Sequence, residues 1–136
     1  MSRENVELVR RAYDAWNARD FEAAAQLLSP DIEWRLPPNL PDTETWRSRA
    51  EVERGLETFM ESWEELRADV RELLDAGDQV VALVQFQGRS AVTGLALEGV
   101  GVDAAVWTLR DGKAVKVEMY GGTREALEAA GLADRT

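Results

Sequence analysis

Apolar residues change their period part-way along this chain, and that change limits the fold more than any single motif. Near the start, Val6, Val9, Tyr13 and Trp16 recur at steps of three, four and three, which sets them on one face of a helix from about Arg3 to Ala18. Near the end, Val115, Val117 and Met119 alternate with Lys116, Glu118 and Tyr120, as a half-buried strand requires. Arg110-Asp111-Gly112-Lys113 precedes that strand and carries the Asp-Gly signature of a two-residue hairpin. Helices gathered first and strands gathered afterwards give an α+β fold with a largely antiparallel sheet.

The stretches between fill in that order. Asp20 can cap a second short helix carrying Phe21, Ala24, Leu27 and Leu28, which Ser29-Pro30-Asp31 stops. Ile32, Trp34 and Leu36 alternate with charged residues as a short strand, and Pro37, Pro38 and Pro41 hold the next segment out of regular structure. Ser48-Arg49-Ala50-Glu51 fits a capping box, and the helix behind it carries Val52, Leu56, Phe59, Met60 and Trp63 on one face. From Leu66 to Leu74 the spacing fits a strand and a helix equally. Asp75-Ala76-Gly77-Asp78 is a turn, Val80 to Phe86 a strand covered on both faces, and Val92 to Leu109 a strand region bent at Gly94, Gly99 and Gly101. Thr123 opens a last helix that Gly131 closes. No repeat or linker divides the 136 residues, so residues 1–136 are expected to form one domain.

Composition removes several chemistries. With no His there is no imidazole base and no His-ligated metal, and with no Cys there is no thiolate nucleophile, disulfide or zinc cluster. A formal charge of −10 speaks against nucleic acid, whose affinity rests on Lys and Arg. Neither a glycine-rich phosphate loop nor a metal constellation is present, so no cofactor is expected. The charged opening residues and the lack of a long apolar run predict a cytoplasmic protein with no membrane partner.

Four stretches together resemble the SnoaL-like branch of the nuclear transport factor 2-like superfamily. They are Asn5-Val6-Glu7-Leu8-Val9-Arg10-Arg11-Ala12-Tyr13-Asp14-Ala15-Trp16-Asn17-Ala18-Arg19-Asp20, Asp31-Ile32-Glu33-Trp34, Val106-Trp107-Thr108-Leu109-Arg110-Asp111-Gly112-Lys113 and Glu125-Ala126-Leu127-Glu128-Ala129-Ala130-Gly131-Leu132. One departure is Arg47-Ser48-Arg49, which stands where the family usually has a glycine before the third helix. The resemblance implies a cone, in which a strongly curved mixed or antiparallel sheet packs on the N-terminal helices and encloses an apolar pocket. It favours a strand from about Leu66 to Leu74 and a homodimer paired through the sheet. The superfamily holds isomerases, cyclases, hydrolases and dehydratases as well as proteins without known catalysis, so fold does not fix function.

Residue by residue, the catalytic positions that the resemblance implies are empty of acids and bases. Leu36 stands before Pro37, where ketosteroid isomerases carry an Asp base. Ala104-Ala105 stands near the second acid, and Val115, Val117 and Met119 occupy the inward face of the strand after the hairpin. Tyr13 resembles an oxyanion-hole donor and is the one catalytic candidate. Asp103 and Glu118 fall opposite the apolar face by alternation, and Asp42 and Glu44 lie in a solvent-facing loop. Aromatic residues are the stronger signal. Tyr13, Trp16, Trp34, Phe59, Trp63, Phe86 and Trp107, with Val117 and Met119, are expected to line a pocket for a small apolar or aromatic molecule, with Trp46 as a lid. The alternatives are a cyclase-, isomerase- or hydratase-type enzyme using Tyr13 and a carboxylate, and a dimeric interaction module whose own side chains fill the cone.

Overall fold

Helix α1 (Ser2–Asn17) buries Leu8, Val9, Ala12, Tyr13 and Trp16, a stripe centred one residue further round than the sequence spacing suggests, so Val6 is only half-buried. This is seen in a computed structural model that describes residues 2–35, 45–61, 63–90, 96–98, 104–120 and 123–131. The helix ends in a Schellman turn: the Arg19 N–H donates to the Trp16 carbonyl at 3.0 Å and the Asp20 N–H to the Ala15 carbonyl at 2.9 Å. That turn holds Arg19 at φ +64°, a left-handed conformation that glycine adopts more cheaply. Asp20 then caps α2 (Phe21–Gln26), its Oδ1 accepting the Ala23 N–H at 3.1 Å. So tight a joint folds α2 back beside α1.

Strand β1 (Leu28–Arg35) starts sooner than the expected Ile32, and Leu28 belongs to it rather than to α2. Leu27 closes the helix while still in the right-handed region, and the chain turns extended at once. Pro30 is tolerated because the ladder with the last strand jumps from Leu28↔Ala114 to Glu33↔Lys116, leaving residues 29–32 bulged out where no N–H is needed. Strand β2 (Thr45–Trp46) pairs antiparallel with β1, and α3 (Arg49–Glu61) follows with the Ser48 Oγ accepting the Glu51 N–H at 3.1 Å.

Strand β3 (Trp63–Ala76) is longer than the expected Leu66 to Leu74, and Trp63 lies on it, not on α3. It pairs with β4 (Gln79–Ser90) through a turn in which Gly77 has φ +82°. Strands β5 (Ala96–Glu98), β6 (Ala104–Arg110) and β7 (Lys113–Tyr120) complete the sheet, in the order β2-β1-β7-β6-β4-β3 with β5 on β4. Asp111 and Gly112 both have positive φ, +53° and +75°, the type I′ geometry that an Asp-Gly hairpin predicts. The β1–β7 pair is parallel and the other pairs are antiparallel, so the sheet is mixed.

Bulges curl the sheet and redirect its side chains. In β3 the pairing passes from Val70↔Val84 to Glu72↔Leu83, so Arg71 is the extra residue and Leu73 returns to the inner face. In β7 it passes from Leu109↔Ala114 to Thr108↔Lys116, so Val115 is extra. Ala114 and Val117, both fully buried, therefore share the inner face, and Val115 is half-buried instead of standing in line with Val117 and Met119.

The curled sheet has a concave and a convex side. The concave core joins α1, α3 and β1 to Val80, Ala82, Val84, Trp107 and Val117. Both polar groups of the Asn17 amide bond the backbone of Ala68, at 2.9 and 2.8 Å, and staple the end of α1 to β3. On the convex side α4 (Thr123–Ala129) sets Ala126 against Val81, Ala104 and Val106, and Gly131 at φ +75° ends it.

Candidate functional site

Three rings form the floor of the concave side. Trp107 is brought there by β6, Trp34 by β1 and Tyr13 by α1, and all three are buried. Trp107 meets Tyr13 edge-on at 5.5 Å between centroids and Trp34 edge-on at 5.7 Å, the arrangement that ring quadrupoles favour. Both indole N–H groups find internal acceptors. The Trp107 Nε1–H donates to the Tyr13 hydroxyl at 3.1 Å, and the Trp34 Nε1–H donates to the Met119 sulfur at 3.3 Å. Burial pushes the Tyr13 pKa well above the usual phenol range, and the Trp107 hydrogen bond offsets only part of that. Tyr13 is thus a neutral phenol across the physiological range.

Above this floor a funnel opens between the first three helices. Ala12 and Trp16 on α1, Ala25 on α2, Leu28 on β1 and Val52 on α3 form its buried wall. Half-buried Phe21, Ala24, Glu53, Leu56 and Met119 stand nearer solvent. The funnel is shallow: its cavity volume is about 40 Å³, and it opens directly to solvent. Small-ligand sites span about 300–1,000 Å³, and a closed apolar cavity of about 150 Å³ already admits benzene. The cavity is smaller than either, so a ring-sized body would lie in the open part of the funnel, half exposed, and not be enclosed by it.

All the surface that the funnel exposes is apolar. Tyr13 contributes its ring, its hydroxyl being turned to Trp107, and Glu53 contributes its methylenes. Among the described residues no group of three or more carboxylates could hold a metal ion. Glu118 lies on the convex side, where it accepts the Tyr120 hydroxyl at 3.3 Å and faces Arg35 and Lys116 at 3.9 and 3.8 Å. Such a wall can desolvate and hold a molecule, but among the described residues it exposes no acid and no base to one.

A model of the SnoaL-like domain matches residues 9–117. The chain belongs to the SnoaL-like family. Solved structures of the same fold agree with that assignment. An NTF2-like protein from Burkholderia thailandensis is 28% identical with a TM-score of 0.76, over 93% of this chain and 95% of that one. TerC, co-crystallised with polyporic acid, is 25% identical with a TM-score of 0.76, over 94% and 98%. An NTF2-like protein from Burkholderia xenovorans is 25% identical with a TM-score of 0.73, over 96% and 97%. No curated protein matches the chain by sequence. The α+β cone of the SnoaL-like fold is thereby shown, and no helix of the described residues is long and apolar enough to cross a membrane.

In this SnoaL-like chain Tyr13, Trp16, Trp34, Trp107 and Met119 meet at one funnel. Val117 is fully buried beneath it and does not reach its surface. Trp46, expected as a lid, is not among the residues that line the funnel. It pairs with Trp34 across β1 and β2, with ring centroids 6.5 Å apart, and its indole lies so close on Gly55 that a Cβ there would come within 2.3 Å of it. The missing side chain of Gly55 is what lets the ring seat on α3, so Trp46 clamps α3 to the sheet. The side chains of Phe59, Trp63 and Phe86, and all of Asp42, Glu44 and Asp103, lie outside the described residues. Sequence reasoning missed the small residues Ala12, Ala24 and Ala25, whose lack of bulk makes the funnel, and it missed Glu53. Glu53 follows Val52 and stands one turn before Leu56 on α3, so a helical wheel drawn on α3 would have placed it at the margin of the apolar face.

Proposed function

We propose that this SnoaL-like protein binds a small apolar molecule in the funnel and performs no acid–base chemistry there. The observation that carries the reading is the apolar wall that the described residues expose above a floor whose indole N–H groups are taken up internally. Binding then draws on buried apolar area, at about 25 cal/mol per Å², and on ring contacts. TerC, similar in fold, was crystallised with polyporic acid, which supports a bound organic molecule in this architecture. A cyclase- or isomerase-type mechanism has weaker support, because no carboxylate of the described residues is exposed beside Tyr13 in the funnel and Glu118 is on the other side of the sheet.

Toluene tests the proposal. It should quench Trp fluorescence saturably, since Trp34 and Trp107 floor the funnel. Ala24→Leu, which fills the half-buried mouth without touching that floor, should abolish the quenching while the protein unfolds at an unchanged or higher temperature. Absence of a saturable response in the unaltered protein would refute the reading.

A further inference from the structure

Glu53 gives this apolar site a sign. It is the one charged residue among the described residues that line the funnel; it is half-buried, and it adds carbon and no oxygen to the exposed wall. Among the described residues that carboxylate makes no ion pair. Arg49, one turn earlier on α3, commits its guanidinium to the Leu28 carbonyl through Nε at 3.1 Å and Nη2 at 2.6 Å. Arg54 and Glu57 are exposed along the same helix, and no basic residue is among the described residues that line the funnel. The rest of the wall is rich in aromatic faces from Tyr13, Trp16, Phe21 and Trp107, which attract cations, and Tyr13 stays uncharged.

We propose that the funnel selects small organic cations, an apolar ring or alkyl body carrying an ammonium group, with the body in the funnel and the ammonium held at the Glu53 carboxylate. This rests on the reading of the funnel as a small-molecule site and adds to it the charge of the ligand. A carboxylate on a half-buried residue attracts an ammonium modestly, so the preference is a few-fold and weakens with salt. Anions meet both Glu53 and the chain's formal charge of −10.

Benzylammonium, benzyl alcohol and benzoate share a ring and differ in charge, and their binding can be read by Trp fluorescence at low ionic strength. Benzylammonium should bind roughly two- to fivefold more tightly than benzyl alcohol, and benzoate most weakly. In Glu53→Gln the ratio of benzylammonium to benzyl alcohol affinity should fall to about one, and in Glu53→Lys benzoate should overtake benzylammonium. The general charge of the protein would act alike on every variant, so these changes isolate Glu53. If benzyl alcohol binds but benzylammonium has no advantage, or keeps it in Glu53→Gln, the cation inference is overturned and the pocket survives. If none of the three binds, both fall.

Discussion

The two faces of the β1–β7–β6 sheet are built from neighbouring residues and do opposite things. On the concave face Trp34, Val117 and Trp107 stand side by side in register, buried, with every indole N–H taken up internally. One residue along β1 and β7, the convex face carries Glu33, Arg35, Lys116 and Glu118, in ion pairs of 3.7–3.9 Å, while on β6 it carries Val106, buried under α4. Arg47 adds a further pair to Glu33 at 3.4 Å. Alternation has sorted charge outward and rings inward. The same scaffold that would place an acid over a substrate, with one residue exchanged on the inner face, here places carbon. That sorting is why the funnel is read as a site of burial.

The sharpest break of the comparison is Trp107→Ala. It removes the central ring of the inner face and the hydrogen-bond donor of Tyr13, and should destabilise the fold by about 3–5 kcal/mol in urea unfolding. A loss below about 1 kcal/mol would mean that the inner face is loosely packed.

Tyr13→Phe is the intermediate case. It orphans the buried Trp107 N–H and should cost about 1–3 kcal/mol. It also alters the pH profile. Because burial raises the Tyr13 pKa above the ordinary phenol value of 10.0, its contribution to stability is fully present below pH 10 and is lost as pH rises from there toward the folded-state value. Tyr120 shifts the same way, through its own burial and the charge of Glu118. Unfolding measured from pH 8 to 11 should thus show a decline above pH 10 in the parent and a shallower one in Tyr13→Phe. Equal slopes would show that Tyr13 is not buried as described.

The smallest effect is expected outside. Glu118→Gln weakens half-exposed pairs and should change stability by at most about 0.5 kcal/mol, and by less at 1 M salt. A larger loss would break the contrast between the faces.

Much of the fold was legible because local chemistry and tertiary structure agree. Asp111-Gly112 turns as its residues demand, Asp20 and Ser48 accept the N–H groups that caps should, and Gly131 ends α4. Legibility failed at the bulges. Arg71 inserted in β3 puts Val70 and Leu73 on one face three residues apart, which is helical spacing, and Val115 does the same to Ala114 and Val117. A period count reads such a strand as a helix or assigns the wrong inward residue. The aromatic floor was legible because Trp34 and Trp107 each sit on an alternating strand. Trp46 was not, since its place depends on the bare Cα of Gly55 across the fold. The funnel itself depends on small side chains from two helices, Ala12 on α1 with Ala24 and Ala25 on α2, which no single-segment pattern reports.

Calorimetric titration with toluene at two temperatures and at pH 6 and 9 addresses the central claim most directly. An apolar wall predicts one saturable site for toluene, a negative heat-capacity change from apolar burial, and the same affinity at both pH values. No saturable heat, or an affinity that follows the titration of a protein group between those pH values, would contradict it.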